Sequence, residues 1–526
     1  MTQSKSFSSY WFLPSISDVI FIVIVAIVLI GKGNLLGDAD TGYHIRAGEY
    51  ILENLKVPDH DIFSYITPPI PWTAHEWLSE VIFALIHKVS GLSGLVVAMT
   101  IVIASVYFVL LKFLRSSGMN IIVAALIVAL AAGTSTIHWL ARPHIFSLFL
   151  TLIWYIILDM YQVKKQNYLY LLPLLMVLWV NLHGGFIAGF MLLAVYITGN
   201  LLAAIFVKEE RQRAFSQMKI LLMLFSLCLL AALLNPHGYE ILLFPFKLTT
   251  NKFIMDNVSE WLSPNFHTDL RYEYMLLLMI FVFGISILKL TAIETILVLL
   301  FTHMSLFSAR YVPLYAIILS PILGKQIDHI IMNLRDRKLV ERLLSISDRA
   351  AMTDLKTKGY LWSFITVLAL IILVASGKVH YSFDKEKLPV DAVQFMKKEK
   401  IAGNMFNNDE FGDYIIYAAW PEYKVFFDGR SDMYGVKRMK EYIKVVRIEQ
   451  GWDEVFKKYN INWIIYNANS SLSRFLLERD DWKLIYADKV ANIFVKNTPE
   501  NEILIEKYSN IKPVTVEDED NKKTKN

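Results

Sequence analysis

Cysteine is nearly missing from this chain. Of 526 residues only Cys228 is a cysteine, and it lies inside the apolar run LFSLCLLAALL. No intrachain disulfide can form, and no cysteine-ligated metal site can be built. Charge is scarce as well: 19% of residues are Asp, Glu, Lys or Arg, while 55% are hydrophobic. A soluble domain carries about 25% charged and about 45–50% apolar residues, and a water-soluble core cannot hide this excess. The net charge of +4 is spread along the whole chain with no basic stripe, so nucleic-acid binding has no electrostatic footprint. No small-residue cleavage site follows the first apolar run, which points to a retained helix rather than a removed signal peptide. No fixed-period repeat is visible.

Long apolar runs fill the space that charge leaves, and mean hydropathy is +0.42. A spanning helix needs roughly 20 mostly apolar residues. Runs bounded by charge predict eleven, near 17–34, 93–114, 120–139, 143–162, 167–182, 184–206, 218–235, 272–289, 291–308, 310–326 and 359–377. Basic residues in short loops stay cytoplasmic. They collect at Lys112 and Arg115, at Lys164 and Lys165, from Lys208 to Lys219, at Lys289, and from Lys325 to Lys358. That phase puts the N-terminus inside the cell and residues 378–526 outside it.

The expected architecture is therefore an α-helical polytopic membrane protein with a small extracytoplasmic α/β domain at its C-terminus. Residues 1–377 form the transmembrane domain with a long first external loop, 35–91. Residues 378–500 form the α/β domain, and 501–526, ending VEDEDNKKTKN, are polar and expected to lack fixed structure. Within the tail, YKVFFDG (423–429), NWIIYN (462–467), WKLIYAD (482–488) and ANIFVKN (491–497) read as strands. PVDAVQFMKKEK and MKEYIKVVRIEQGWDEVFKKY have helical spacing.

Polar motifs interrupt the apolar runs mostly at one face. GDADTGYH (37–44), HEWLSE (75–80), HWLARPH (138–144), NLHGG (181–185), NPHGYE (235–240), EWLSPNFH (260–267) and HMSLFSAR (303–310) all fall at expected outer ends. Polar groups against hydrocarbon cost several kcal/mol unless satisfied, so their convergence on one face marks a site. The bland alternative is that His, Asn and Trp simply favour membrane interfaces.

Asp38-Ala39-Asp40 follows the first helix directly. Here the sequence resembles the GT-C superfamily of membrane glycosyltransferases, in which an acidic pair lies in the first external loop after the first helix. HIRAGEYILENL and EWLSEVIFALIHKV supply the amphipathic helices such a loop carries, and many helices followed by an external C-terminal domain match the family's layout. The resemblance implies a polyprenyl-phosphate sugar donor and catalytic roles for Asp38 and Asp40. It also implies a location in a bacterial or archaeal cell membrane. No WWDYG-type acceptor motif of oligosaccharyltransferases is present, so the acceptor, whether glycan, lipid or protein, stays open.

The chemistry suits the residues in its own right. Displacing a polyprenyl phosphate from an anomeric carbon needs a base for the acceptor's proton and cations for the leaving phosphate. Asp38 or Asp40 can be that base, or can ligate a divalent cation such as Mg or Mn. Arg142 and Arg310, with Arg271 as a further candidate, stand at outer helix ends where a guanidinium fork suits phosphate. An interfacial arginine can equally snorkel to lipid phosphate. His44, His75, His144 and His183 can donate to phosphate or sugar, though each singly fits a structural role. Trp72, Trp77, Trp139 and Trp261 can stack on a sugar or anchor at the interface. Gly184, Gly185 and Gly238 mark tight turns. Asp428, Arg430 and Asp432 in FFDGRSDMYG read as local Asp-Arg pairing more readily than as acceptor binding. Two rival readings remain at this point: a transporter or flippase of a lipid-linked or polar substrate, and a non-enzymatic envelope assembly protein.

Overall fold

The computed structural model of the protein describes residues 12–30, 35–268, 270–357 and 359–514. Along the chain the helices are α1 (Ile16–Ile30), α2 (Asp40–Asn54), α3 (Trp77–Ser116), α4 (Ile121–Ser135), α5 (His144–Gln162), α6 (Leu171–Leu182), α7 (Ile187–Phe206) and α8 (Arg211–Ala232). They continue as α9 (Glu240–Thr249), α10 (Lys252–Asn257), α11 (Arg271–Ile285), α12 (Ala292–Phe307), α13 (Val312–Asn333), α14 (Lys338–Asp354) and α15 (Leu361–Ala375). The remainder is α16 (Val390–Glu399), β1 (Asn404–Asn407), α17 (Asp409–Ala419), α18 (Ser431–Val446), α19 (Trp452–Lys458), β2 (Ile461–Asn467), α20 (Ser471–Leu477), β3 (Trp482–Ala487), β4 (Ala491–Lys496) and α21 (Glu502–Lys507).

Each of the eleven apolar runs carries a helix, and six helical segments are long and apolar enough to cross a membrane: Trp77–Ser116, Ile121–His138, His144–Gln162, Gly184–Phe206, Lys208–Ala232 and Ala309–Asn333. Large apolar side chains such as Leu126, Leu174, Leu230, Ile280, Leu299 and Phe364 stand exposed along the helices. Patches of that extent need hydrocarbon rather than water, and the chain is a membrane protein. Residues 31–34 of the first predicted helix and 515–526 of the polar end lie outside the described residues. Within the stretch 501–526 expected to be unstructured, Glu502–Lys507 is helical.

The chain divides into two compact units, Met1–Leu35 with Ser93–His380, and Leu36–Leu92 with Tyr381–Asn526. The loop after the first helix, grouped with the helices on sequence, thus shares a unit with the tail. Gly91, at φ 61° and ψ −162°, breaks α3 near that division. In the helical unit, Asp18 of α1 accepts hydrogen bonds from the Ser363 backbone N–H and hydroxyl of α15 at 2.9 and 2.6 Å. This buried polar link joins two helices far apart in sequence.

The second unit is built on a four-stranded sheet of order β1-β2-β4-β3. β1 and β2 are parallel, whereas β4 runs antiparallel to both of its neighbours. Three predicted strands appear as β2, β3 and β4. The fourth, 423–429, forms only a single bridge, Val425 to Ser64 of the first loop, with Val425 N–H donating to the Phe63 carbonyl at 3.1 Å, and beyond it a side chain takes over the backbone. Asn407 accepts from Phe426 N–H at 2.8 Å and donates through Nδ2 to the Phe427 carbonyl at 2.7 Å. A carboxamide that bonds both ways replaces the ladder a strand would need.

The first-loop segment is stitched to this sheet layer. Arg46 donates to the Tyr417 carbonyl through Nε and Nη2 at 2.8 and 2.6 Å, and the Tyr65 hydroxyl donates to the Met405 carbonyl at 2.7 Å. Glycine permits the close approach of its helices: a Cβ on Gly48 would lie 1.9 Å from the Glu80 carbonyl oxygen, while one on Gly133 would meet nothing within 4 Å. Gly48→Ala should therefore destabilise the protein by about 1–3 kcal/mol through backbone overpacking. Gly133→Ala should be neutral or stabilising by up to about 1 kcal/mol. Melting of the full-length protein in detergent compares them, and equal midpoints for the two variants would refute the close α2–α3 contact.

Candidate functional site

The acidic pair opens α2. Asp40 is its first residue, and the half-buried Asp38 accepts from Asp40 N–H at 2.9 Å, which fixes the turn before the helix. A carboxylate at a helix start is favoured by the unpaired N–H groups there. Asp40 itself is buried, against a carboxylate that sequence reasoning passed over: Asp413 of α17, 1% exposed. The Gly429 backbone is wedged at this pair. Gly429 N–H donates to both oxygens of Asp413 at 3.0 and 3.1 Å, and a Cβ on Gly429 would lie 2.5 Å from Asp40 Oδ1. Burial, then the charges of Asp40 and Asp428, lift Asp413 well above the ordinary carboxylate range, which favours its protonated form beside its neighbours. Asp409, lifted by burial and by Asp38, extends the cluster.

Next to Gly429, the expected Asp428–Arg430 pairing is present but buried and larger than a local turn. Arg430 Nε donates to Asp428 Oδ1 at 2.8 Å, and Nη2 donates to Asp428 Oδ2 at 2.7 Å and Asp61 Oδ1 at 2.8 Å. Burial works to raise Asp61, yet Arg430 and the Ser64 and Phe63 hydrogen bonds hold it below the usual range. Trp72 lies 4.6 Å from the guanidinium, so it stacks on Arg430 rather than waiting for a sugar. His44 is buried between Glu76 and Glu80, at 3.6 and 3.4 Å, and His75 stands 3.8 Å from Glu76. These histidines have carboxylate neighbours, not an anion pocket.

In the helical unit, Arg142 and Arg310 do converge across their long separation in sequence, but on a carboxylate. Arg142 Nη1 pairs with Glu260 Oε1, and Arg310 Nη1 lies 3.6 Å from Glu260 Oε2. Burial opposes the charge on Glu260, yet Arg142 and Arg310, with His138 and His144 behind them, hold it well below the carboxylate range. Trp261 lies under Arg310 at 4.7 Å, and Trp139 Nε1–H donates to the Tyr107 hydroxyl at 3.3 Å. Arg271 instead donates to Thr136 Oγ1.

His144 and His183 extend this cluster, their rings 6.5 Å apart. His144 Nε2–H donates to the His138 carbonyl at 2.8 Å. His183 Nδ1 accepts from Gly185 N–H at 2.9 Å and from the Ser147 hydroxyl at 2.7 Å, and Trp179 Nε1–H donates to Ser147 Oγ at 2.7 Å. Two donors on Nδ1 place the proton of the neutral ring on Nε2. Beside the cluster is a cavity of about 250 Å³ lined by Ser259, Leu262 and Ala309, chain neighbours of Glu260 and Arg310.

Among the described residues no three His, Cys, Asp or Glu side chains come together to hold a metal ion. No step below passes through a metal.

Asp413, Gly429, Asp61 and Glu260 are the residues the sequence reading missed. The glycine after Asp428 and the glutamate within EWLSPNFH were the available signals. Their partners lie hundreds or tens of residues away, and no local pattern encodes that.

No protein-family model matches the chain. No curated protein matches it either. Solved structures do. The apo form of the Archaeoglobus fulgidus oligosaccharyltransferase, a GT-C superfamily member, superposes with TM-score 0.54 at 12% identity, covering 94% of this chain and 76% of that one. The same archaeal enzyme, AglB, in complex with an inhibitory peptide and a dolichol-phosphate aligns with TM-score 0.48 at 12% identity, over 86% of this chain and 69% of the other. At this identity the likeness is one of fold, and it agrees with the GT-C resemblance carried by the first loop.

The proton on Asp413 has a measurable consequence. Its folded value is raised above the 3.8 of a free aspartate, so its contribution to stability is complete below that value and is lost as pH rises toward the folded one. Asp413→Asn keeps an oxygen for Gly429 N–H but has nothing to ionise. Between pH 5 and pH 8 the full-length wild-type protein should lose stability relative to the variant by about 1 kcal/mol or more. Parallel pH dependence of the two melting curves would refute the shared-proton arrangement.

Proposed function

We propose that the chain is an integral membrane glycosyltransferase that moves a sugar from a polyprenyl-phosphate donor to an acceptor outside the cytoplasm. The observation that carries this reading is Asp40, set at the start of α2 against the buried Asp413, with Asp38 at its entry. The oligosaccharyltransferase-like fold supports it.

The chemistry has two needs, a base for the acceptor and a cation for the phosphate. When the acceptor heteroatom bonds to the anomeric carbon, its proton must leave and the carbon–oxygen bond to phosphate must break. Asp40 takes the acceptor's proton, and Asp413 keeps its own, so one anion rather than two must be held in the buried pair. The phosphate departs with the bonding electrons, and the forks of Arg142 and Arg310 are the cations fitted to receive it. Glu260 holds those forks in the resting protein, and the donor phosphate exchanges with its carboxylate. His144 and His183 act beside the arginines, whereas His44 and His75 stay with Glu76 and Glu80. The acceptor is left open.

The proposal includes the topology, with the N-terminus cytoplasmic and the C-terminal unit external. Ser345 on α14 and Ser471 on α20 are exposed and suit labelling, in contrast to Ser347, which is buried. In a Cys228→Ala background, a membrane-impermeant thiol reagent added to intact cells should label Ser471→Cys and not Ser345→Cys. The reverse pattern would overturn the orientation.

Asp40→Asn keeps size but cannot accept the proton. Transfer should fall by about 10²- to 10⁴-fold, the usual cost of a lost general base, at unchanged membrane level. Asp38→Asn should fall less, because it sits at the entry rather than against Asp413. The readout is extracytoplasmic glycan or glycoprotein product in cells carrying each variant. Full product from Asp40→Asn at normal expression would remove the enzymatic reading.

A further inference from the structure

The helical unit has a second polar site at the opposite end of the helices that carry the arginine cluster. α5 begins at His144 and reaches Asp159 and Gln162 about four turns later, roughly 23 Å along the axis at about 1.5 Å per residue. There it meets the C-terminal part of α7, the first turns of α8 and α12, and Lys325 of α13 around a cavity of about 590 Å³. A ligand pocket spans about 300–1,000 Å³. Close helix approach closes one wall: a Cβ on Gly199 of α7 would lie 2.3 Å from the Ile293 side chain at the start of α12.

The lining is organised but incomplete. Gln162 Nε2 donates to Asn200 Oδ1 at 3.1 Å and to Gln217 Oε1 at 3.2 Å, and Asn200 Nδ2 returns a bond to Gln162 Oε1 at 3.0 Å. Lys325 Nζ is committed to Glu294 Oε1 at 2.8 Å. What remains faces the cavity. Tyr155 and Tyr196 are 3% and 2% exposed and line it, yet among the described residues neither hydroxyl has a hydrogen-bond partner. The carboxylate of Asp159 lines it as well, with no ion pair or hydrogen bond among the described residues. Buried hydroxyls normally find partners, and a carboxylate in such a place needs a cation.

We propose that this cavity binds a small ligand through a primary ammonium group, with Asp159 as counter-ion and the Tyr155 and Tyr196 hydroxyls accepting its remaining hydrogens. An ammonium offers three donors to three oxygen acceptors. Lys325 is paired with Glu294, and Arg213, which also lines the cavity beside Glu210, donates to the Gln162 carbonyl at 2.7 Å, so neither cation is bonded to Asp159. The same chemistry can reach the cavity on a lipid headgroup or on a free amine. Phe206, which lines the cavity, is also exposed outward, as Ile205 beside it is, so the mouth is open toward the apolar surface.

The test uses full-length, delipidated protein. Ethanolamine and O-phosphoethanolamine are titrated calorimetrically in detergent, and phosphatidylethanolamine in phosphatidylcholine nanodiscs is followed by native mass spectrometry. Binding in either arm supports the site: the soluble arm assigns a free amine, the nanodisc arm alone a headgroup. Asp159→Asn should weaken that binding at least about tenfold, as expected for a charge-assisted bond, with the ligand-free melting temperature retained. Tyr196→Phe, which removes one oxygen and no packing volume, should weaken it severalfold and serves if Asp159→Asn does not fold. Absence of binding in both arms, equal binding of choline, or wild-type binding by both variants overturns the proposal. None of these outcomes depends on glycosyl transfer.

Discussion

The buried guanidinium of Arg430 is the interaction on which the loop-and-tail unit turns. Taking an arginine and two aspartates out of water costs several kcal/mol per ion, and only well-made hydrogen bonds compensate. Here Asp61 comes from the first loop, Asp428 and Arg430 from the tail, and Phe63 and Trp72 cover the guanidinium faces at 4.8 and 4.6 Å. Removing either aspartate would leave charge buried without its partner, typically a loss of about 3–5 kcal/mol. Because Gly429 lies between Asp428 and Arg430 in the chain, fixing the pair also fixes the backbone N–H that reaches Asp413. The structural ion cluster and the acidic pair of the proposed chemistry are therefore mechanically one object. The cluster contributes more negative than positive charge, and that imbalance is part of why Asp413 keeps its proton.

Much of the architecture was legible because it rests on local pattern. Each of the eleven apolar runs carries a helix, six of them long and apolar enough to cross a membrane among the described residues, and alternation with β-branched and aromatic residues produced β2, β3 and β4. YKVFFDG misled because its composition is that of a strand while it makes one bridge to the first loop at Val425 and then turns to the Asn407 carboxamide, a partner no periodicity announces. The helical stretch from Met439 to Tyr459 splits at Gly451, where φ is 77°. The site was legible in its anions and cations but not in their pairing. Asp38 and Asp40 were found by position after a helix, and Arg142 and Arg310 by topology. Asp413, Asp61 and Glu260, which complete both clusters, are joined to them by contacts that only the folded chain creates.

The distribution of polar groups along the helical unit also weighs between the rival functions. On α5 the order is His144, Ser147, Trp154, Asp159, Gln162, so an indole separates the polar residues of one end from those of the other. Trp154 packs against Trp179 of α6, ring centroids 5.6 Å apart, and Gly189 of α7 lies so close that a Cβ there would be 3.1 Å from both rings. A transporter needs its polar site near the middle of the bundle, where either end can be opened in turn. Here the Trp154–Trp179 pair and Gly189 interlock α5, α6 and α7, and close packing resists the sliding that alternating access requires. The buried hydroxyls of Thr100, Thr151 and Ser320 within the helices are spent on their own helix backbones, so they offer no polar site at mid-helix. The envelope-assembly alternative has no such conflict with the bundle. It has to account, however, for two arginines converging on one carboxylate and for a buried aspartate set against Asp40, neither of which an interaction surface requires.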